Sequence, residues 1–261
     1  MRARGRATAV VAIVALLSLG TLARAEMVQK GNVRVKVIGS FAPQKLPRSQ
    51  PAPISVEVGG TIATTDGSPP PRLERLQIEI NRQGRLDGSG LPVCDVDAIH
   101  PASTSRALAA CRSSLVGRGS FAADVTLSGQ EPYRTGGQLL VFNGHKGGRP
   151  VLLGQIYAER PFANSFVITF EQRRISRGAY GTELVAVLPR ALGNWGNLTE
   201  LKMNLSRRYT YRGRHRSYVS AGCPALQGSN VAVFPLVRTT FSFGDGRKVD
   251  SVLLRSCKVR G

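Results

Sequence analysis

Short runs in which apolar and polar residues alternate recur along this chain, and they constrain its fold more than any other feature. In the stretch Leu198 to Cys223, LTELKMNLSRRYTYRGRHRSYVSAGC, Leu201, Met203 and Leu205 alternate with Lys202, Asn204 and Ser206. Successive side chains of a strand point to opposite faces, so this pattern gives one buried and one wet face. Ile54, Val56 and Val58 alternate in the same way, as do Phe166, Ile168 and Phe170. Further strand-like runs cover Val33 to Phe41, Leu76 to Ile80, Leu115 to Leu127, Gln138 to Phe142, Val151 to Ala158 and Leu184 to Leu188. Val231 to Val237, Thr239 to Phe243 and Val249 to Leu254 complete the set. Turn residues such as Thr65-Asp66-Gly67 and Gly244-Asp245-Gly246 separate them. One helical piece is expected, between Cys94 and Cys111, where Ser103 or Thr104 caps a run of good helix formers. The fold class is therefore all-β: an antiparallel β-sandwich with one short helix between Cys94 and Cys111.

Two local signals refine this. Asn143 to Pro150 reads as a hairpin connection longer than the minimal two residues. Pro235 marks an edge or a bend, because proline cannot donate to a ladder. An internal echo is also present. Leu73, Leu76, Ile78, Ile80 and Arg82 match Leu198, Leu201, Met203, Leu205 and Arg207 at a constant offset, and each copy leads on to a cysteine, Cys94 or Cys223. The echo allows two related sandwich halves with a boundary near 128–136. It does not extend upstream, and strand composition alone produces such matches, so one sandwich or two stays open.

Residues 1–25 have the order of a signal peptide: Arg2, Arg4 and Arg6, then an apolar run from Ala7 to Leu22, then Ala23-Arg24-Ala25. Cleavage is expected before Glu26, leaving 26–261 as the exported region, secreted or held at the cell envelope. The apolar run is shorter than the roughly 20 residues of a spanning helix, and no transmembrane segment is expected after cleavage. The 4 cysteines of an exported chain read as two disulfides. Of the three pairings the local ones, Cys94–Cys111 and Cys223–Cys257, are expected, in a structural role.

Lys and Arg number 36 against 16 Asp and Glu, a formal charge of +20. Loss of Arg2, Arg4, Arg6 and Arg24 with the leader still leaves a strong positive excess. That excess favours anionic polymers, with acidic cell-wall or extracellular polysaccharide the expected partner and no specific nucleic acid; it equally serves solubility. The charge gathers in one place. Arg207, Arg208, Arg212, Arg214 and Arg216 lie among His215, Tyr209, Tyr211 and Tyr218. Continued alternation puts Tyr209 and Tyr211 on one face with Arg207, and Arg208 and Arg212 on the other. Gly213 turns the chain and returns Arg214 and Arg216 beside them. Such a hairpin offers guanidinium forks to phosphate, sulfate or carboxylate and phenol faces to sugars or bases. The alternative is a solvated hairpin with tyrosines under arginine stems. Trp195, between glycines and asparagines, is a second candidate for sugar stacking, or else a plug at the sandwich end.

Signs of catalysis are sparse. His100, His145 and His215 are the only histidines, and H-E-x-x-H, Walker-type and G-x-S-x-G patterns are absent. Glu74 and Glu79 fall on opposite faces of a strand. Glu159, Glu171, Asp95 and His145 are the residues a glycan hydrolase would have to bring together. Asp87, Asp95 and Asp97 cluster around Cys94 without the spacing of a calcium loop, so no metal and no cofactor is expected. The functional reading is a non-enzymatic binding or structural module with affinity for anionic polymers. The alternatives are an extracellular glycan-acting hydrolase and a purely structural exported protein.

LPRSQPAPISVEVGGTIATTDGSPPP, GLPVC, AC…LVGRGSF, GGQLLVFNG and RRYTYRGRHRSY…GCPA together cover most of the chain after the leader. This wording resembles a family of exported β-rich proteins from high-GC actinobacterial lineages. The resemblance implies a bacterial source and an extracellular setting. It brings no activity and transfers no catalytic residue.

Overall fold

A computed structural model describes residues 25–160, 163–189 and 196–260. Residues 1–24 of the expected leader and Trp195 lie outside them. The strands are β1 Glu26–Lys30, β2 Val33–Ala42, β3 Lys45–Leu46, β4 Ala52–Pro53, β5 Ser55–Thr64, β6 Leu73–Asn81, β7 Gly84–Leu86, β8 Leu115–Val125 and β9 Tyr133–Lys146. They continue as β10 Arg149–Ala158, β11 Asn164–Arg177, β12 Tyr180–Val187, β13 Gly196–Leu205, β14 Arg208–Tyr211, β15 Arg214–Ser217, β16 Val219–Ala221, β17 Val231–Phe243 and β18 Lys248–Val259. Two helices, α1 Val96–Ile99 and α2 Thr104–Cys111, complete the set with a 3₁₀ turn at Arg112–Ser114. The chain is all-β.

Thirteen strands form one sheet in the order β1-β2-β5-β13-β8-β9-β10-β11-β12-β6-β17-β18-β3. Every ladder is antiparallel except that between β18 and the two-residue β3. The sheet curls until opposite walls face each other, so the two layers of the sandwich are one continuous sheet. A Cβ on Gly60 of β5 would meet the Phe241 ring of β17 at 3.5 Å, and the Phe41 and Phe234 rings of β2 and β17 lie 6.0 Å apart. At the seam β1 and β2 lie alongside β18 without a ladder. There Arg255 Nε donates to Gly39 O at 2.6 Å, and a Cβ on Gly39 would sit 2.7 Å from Leu253 Cδ2. A side chain at this position would have to displace that leucine methyl.

Alternation fills the interior. Val33, Val35, Val37 and Phe41 of β2 and Val249 and Leu253 of β18 are buried, while most residues between them are exposed. The echo strands β6 and β13 do not pair. Leu76 and Ile78 instead line the same interior void as Leu201 and Met203, so the two copies face one another across the core. Residues 126–132 are the connection of the β8–β9 hairpin, whose strands pair from Val125↔Tyr133 onward.

Leu139–Phe142 and Val151–Leu153 are apolar at every position because both faces of β9 and β10 are covered. Leu139, Val141 and Leu152 face the main core. Leu140, Phe142, Val151 and Leu153 pack outward against Ile99, Ala107 and the Cys94–Cys111 bridge. Ser103 caps α2 as expected, accepting from Arg106 N. Both local disulfides form, with Cα separations of 5.5 and 5.8 Å.

Three local expectations change. The β9–β10 connection is a two-residue turn, Gly147-Gly148, because both glycines take positive φ (57° and 75°) and let the strands run to Lys146 and Arg149. Val231–Val237 and Thr239–Phe243 are a single strand. Pro235 falls where its ladder with β18 shifts register, beyond Val237, where the ladder to β6 has ended, so its missing N–H leaves no gap. One strand, β1, precedes Val33, its few apolar residues being too sparse to announce it. No helix among the described residues is long and apolar enough to cross a membrane.

Candidate functional site

The basic-aromatic segment folds as a hairpin outside the large sheet. β14 pairs with β15 in the register Arg208↔Ser217, Tyr209↔Arg216, Thr210↔His215 and Tyr211↔Arg214. Arg212 and Gly213 form the turn, both at positive φ (50° and 72°), the backbone that matches the twist of a two-residue hairpin. Directly opposed residues share a face, so Tyr209, Tyr211, Arg214 and Arg216 lie on one side and Arg208, Thr210, His215 and Ser217 on the other.

The tyrosine side is docked on the loop after β7. Tyr209 Oη reaches Ser89 O at 2.8 Å and Asp87 O at 3.2 Å. The Tyr211 ring lies on Gly90, where a Cβ would sit 2.3 Å from the ring and φ is +84°. Arg216 Nη1 meets Asp87 Oδ2 at 3.2 Å. The guanidinium groups of Arg212 and Arg216 lie 5.2 and 5.6 Å from the Tyr211 ring centre. Burial pushes the Asp87 carboxyl up, but its Ser89 hydrogen bonds and the Arg216 charge outweigh this and hold it below its ordinary value. Burial, then the Asp87 charge, raises the Tyr209 phenol.

These contacts reassign part of the segment. The phenol faces are engaged inside the molecule, and Arg216 anchors the hairpin. Arg207 precedes the strand, its carbonyl accepting from Tyr218 N at 2.8 Å, so it does not share the tyrosines' face by alternation. Arg212 stacks on Tyr211 because it sits in the turn and not in a continued strand. Arg207, Arg208, Arg212 and Arg214 are exposed, and among the described residues no carboxylate pairs with any of them. Tyr218 is a core residue, 2 % exposed.

On the other side of the same loop lies a polar cleft of about 550 Å³. Residues 172, 174 and 182 share the inward face of β11 and β12, since Arg174 opposes Thr182 and Gln172 opposes the buried Leu184. These strands extend beyond the apolar core at the end plugged by the small sheet β4-β16-β7. Arg82 and Arg85 close the cleft with Asp87 and Ser89. Alternation read in single strands gave no signal for it, because its arginines come from two segments about ninety residues apart, the β6–β7 run and β11.

The residues proposed for hydrolysis do not meet. Val151, opposite Glu171, and Ala158, next to Glu159, are separated by about 24 Å at the rise of a strand. Glu171 pairs with Arg173 and Lys146, which hold its carboxyl below its ordinary value. Asp95 occupies the N-cap of α1. His145 is exposed near the β9–β10 turn. His100 Nδ1 lies 3.2 Å from Ser165 Oγ, but that serine is 3 % exposed and accepts from Ala102 N, so the pair clasps the α1–α2 connection to the sheet. No cluster among the described residues has the make-up of a metal site.

A carboxylate pair does occur elsewhere, on the outer face of β6 and β12. Glu79 and Glu183 are directly opposed, 2 % and 7 % exposed. Arg238 Nε donates to Glu79 Oε2, and Arg177 Nη1 lies 3.2 Å from Glu79 Oε1 and 3.6 Å from Glu183 Oε1. Both carboxylates are thus held by arginines in a sheet-face network. Compared with family models, curated proteins and solved structures, the chain matches none.

Proposed function

We propose that the protein is an exported, non-enzymatic β-sandwich module that adheres to anionic polymer of a cell envelope or extracellular matrix through the β14–β15 hairpin. One observation carries the reading: four exposed guanidinium groups, on Arg207, Arg208, Arg212 and Arg214, project from a hairpin pinned by Tyr209, Tyr211 and Arg216, and no described carboxylate neutralises them. A solvated basic rim repels itself, whereas a rigid one presents fixed forks to phosphate, sulfate or carboxylate. The leader pattern, the two disulfides and a first strand beginning at Glu26 support export.

The test is retention on immobilised acidic polysaccharide at low and high salt. Binding should be strong at low salt and fall steeply as the Debye length shrinks from about 30 Å at 0.01 M to about 3 Å at 1 M. Replacing Arg207, Arg208, Arg212 and Arg214 together by Gln should remove most retention without lowering the melting temperature. Retention unchanged by that replacement, or by salt, would refute the proposal.

A further inference from the structure

We infer that the cleft between β7, β11 and β12 is a binding pocket for one acidic sugar unit, a pyranose carrying a phosphate or a carboxylate. The inference deepens the polymer-adhesion reading, on which it rests, by naming the unit recognised beside the hairpin.

Three arginines from two segments, Arg82 and Arg85 of the β6–β7 connection and β7 and Arg174 of β11, line one cavity of about 550 Å³. None of them pairs with a carboxylate among the described residues. Asp87, the single acid in the lining, is already engaged by Arg216 and Ser89. Like charges around a concavity focus a positive potential, and an anion placed there relieves their repulsion. The cavity falls within the range of small-molecule sites, about 300–1,000 Å³, and is far roomier than one bare phosphate requires. Its remaining lining is mostly polar or glycine, with Leu86 the one apolar side chain. The Ser89 and Thr182 hydroxyls are present, and Gln172 donates through Nε2 to Leu86 O at 3.4 Å, leaving its carbonyl oxygen as an acceptor. Guanidinium forks for the anion and neutral donors and acceptors for ring hydroxyls are the two halves of an acidic-sugar site. The cleft and the hairpin flank one loop, Asp87 to Gly90, so a chain of such sugars can lay one unit in the cleft and its neighbours on the hairpin arginines.

The test is calorimetric titration of the full chain with glucuronic acid, glucose 6-phosphate, glucose and inorganic phosphate. The two acidic sugars should bind about tenfold or more tightly than either glucose or phosphate alone. Arg174→Gln and Arg85→Gln should each weaken them about tenfold or more, the loss of one charge-assisted contact, and Arg174→Lys should restore part of the affinity. The four-arginine hairpin variant should keep acidic-sugar affinity while losing polymer retention, which separates the two readings. Phosphate binding as tightly as glucose 6-phosphate would overturn the inference. So would acidic-sugar affinity indifferent to Arg174→Gln and Arg85→Gln, or single-stranded nucleic acid binding the cleft in preference to the sugars.

Discussion

Replacing Glu79 by Gln is the sharpest test of how the outer sheet face is held together. Its side chain is 3 % exposed and bonded by Arg238 at one oxygen and Arg177 at the other. The two arginine side chains are 39 % and 59 % exposed. Arg238 also lies 4.8 Å from the Tyr180 ring centre. A hydrogen bond to a charged group contributes about 1.5–3 kcal/mol, and two would give about 3–6. Water recovers part of the loss at the half-exposed arginines, so Glu79→Gln should destabilise by about 2–4 kcal/mol. For a chain of this size that lowers the melting temperature by roughly 5–12 °C. Glu183→Gln is the control: Gln77 Nε2 donates to Glu183 Oε1 at 2.8 Å, and a glutamine oxygen still accepts it. Removing the like charge opposite Glu79 offsets the weakened contact to Arg177, so this variant should stay within about 1 kcal/mol of the parent. Urea unfolding at neutral pH measures both, provided m is unchanged. The Arg238 hydrogen bond first, against burial, holds the Glu79 carboxyl below its ordinary value. A depressed carboxylate stabilises fully above its unfolded pKa of about 4.3 and loses that contribution as pH falls through the lower folded value. The parent should therefore lose stability on acidification below about pH 4 more steeply than Glu79→Gln. Equal cost for the two variants, or a Glu79→Gln cost under about 1 kcal/mol, would show that the network is not centred on Glu79.

Gly90→Ala should undock the hairpin, since the new Cβ would meet the Tyr211 ring at 2.3 Å and φ is +84°; faster trypsin cleavage at Arg212 with an unchanged core melt reports it. Asp87→Asn should release Arg216 and cost about 0.5–1 kcal/mol, a discount set by the 43 % exposure of the aspartate. It should also lower the Tyr209 titration, which the Asp87 charge helps to raise, as read by ultraviolet absorbance. Serine pairs in place of Cys94–Cys111 and Cys223–Cys257, which span 17 and 34 residues, should cost about 3 and about 4 kcal/mol. Only the second pair should weaken acidic-sugar binding, because it secures the end of the sheet where the cleft lies.

What could be read from the sequence was what depends on near neighbours. Alternation in β2, β5, β13 and β18 and the Ser103 cap need only a few residues of context, and the two disulfides join cysteines that are neighbours in cysteine order. The echo of β6 in β13 was visible, but its meaning was not: period-2 patterns say that two strands bury a face, not that they bury it against each other. The hairpin itself followed from Gly213. Its docking did not, because Tyr209 and Tyr211 find their partners at Asp87 to Gly90, more than a hundred residues away, and an aromatic next to arginines looks the same whether it faces ligand or loop. Glu79 read as one half of an unpromising Glu74/Glu79 spacing, because only the β12–β6–β17 order places Glu183 and Arg238 beside it.

The placement of the basic face follows from how this curled sheet ends. β11 and β12 outrun the apolar core, and their inward positions there carry Gln172, Arg174 and Thr182 instead of leucine or isoleucine. The core is sealed short of them by β4, β16 and β7, with Tyr218, Val219 and Leu86 buried or partly buried beneath. Polar side chains on an inward face would be costly inside the core but are tolerated beyond the plug, where water reaches them. The plug is fastened twice: Cys223, just after β16, bridges to Cys257 of β18, and Cys223 N donates to Pro47 O at 2.9 Å. The same short run, Leu205 to Ala221, thus leaves the wall of the sheet, makes the hairpin and returns as a strand of the plug. The hairpin and the cleft are tied together through β7 and the loop after it: Arg85 of β7 pairs with Ser220 of β16, and Tyr209 and Arg216 bind the Asp87–Ser89 loop. On the proposed reading, a polymer meeting both would find the backbone of its site already arranged, leaving the polymer and the exposed arginine side chains to be ordered on binding.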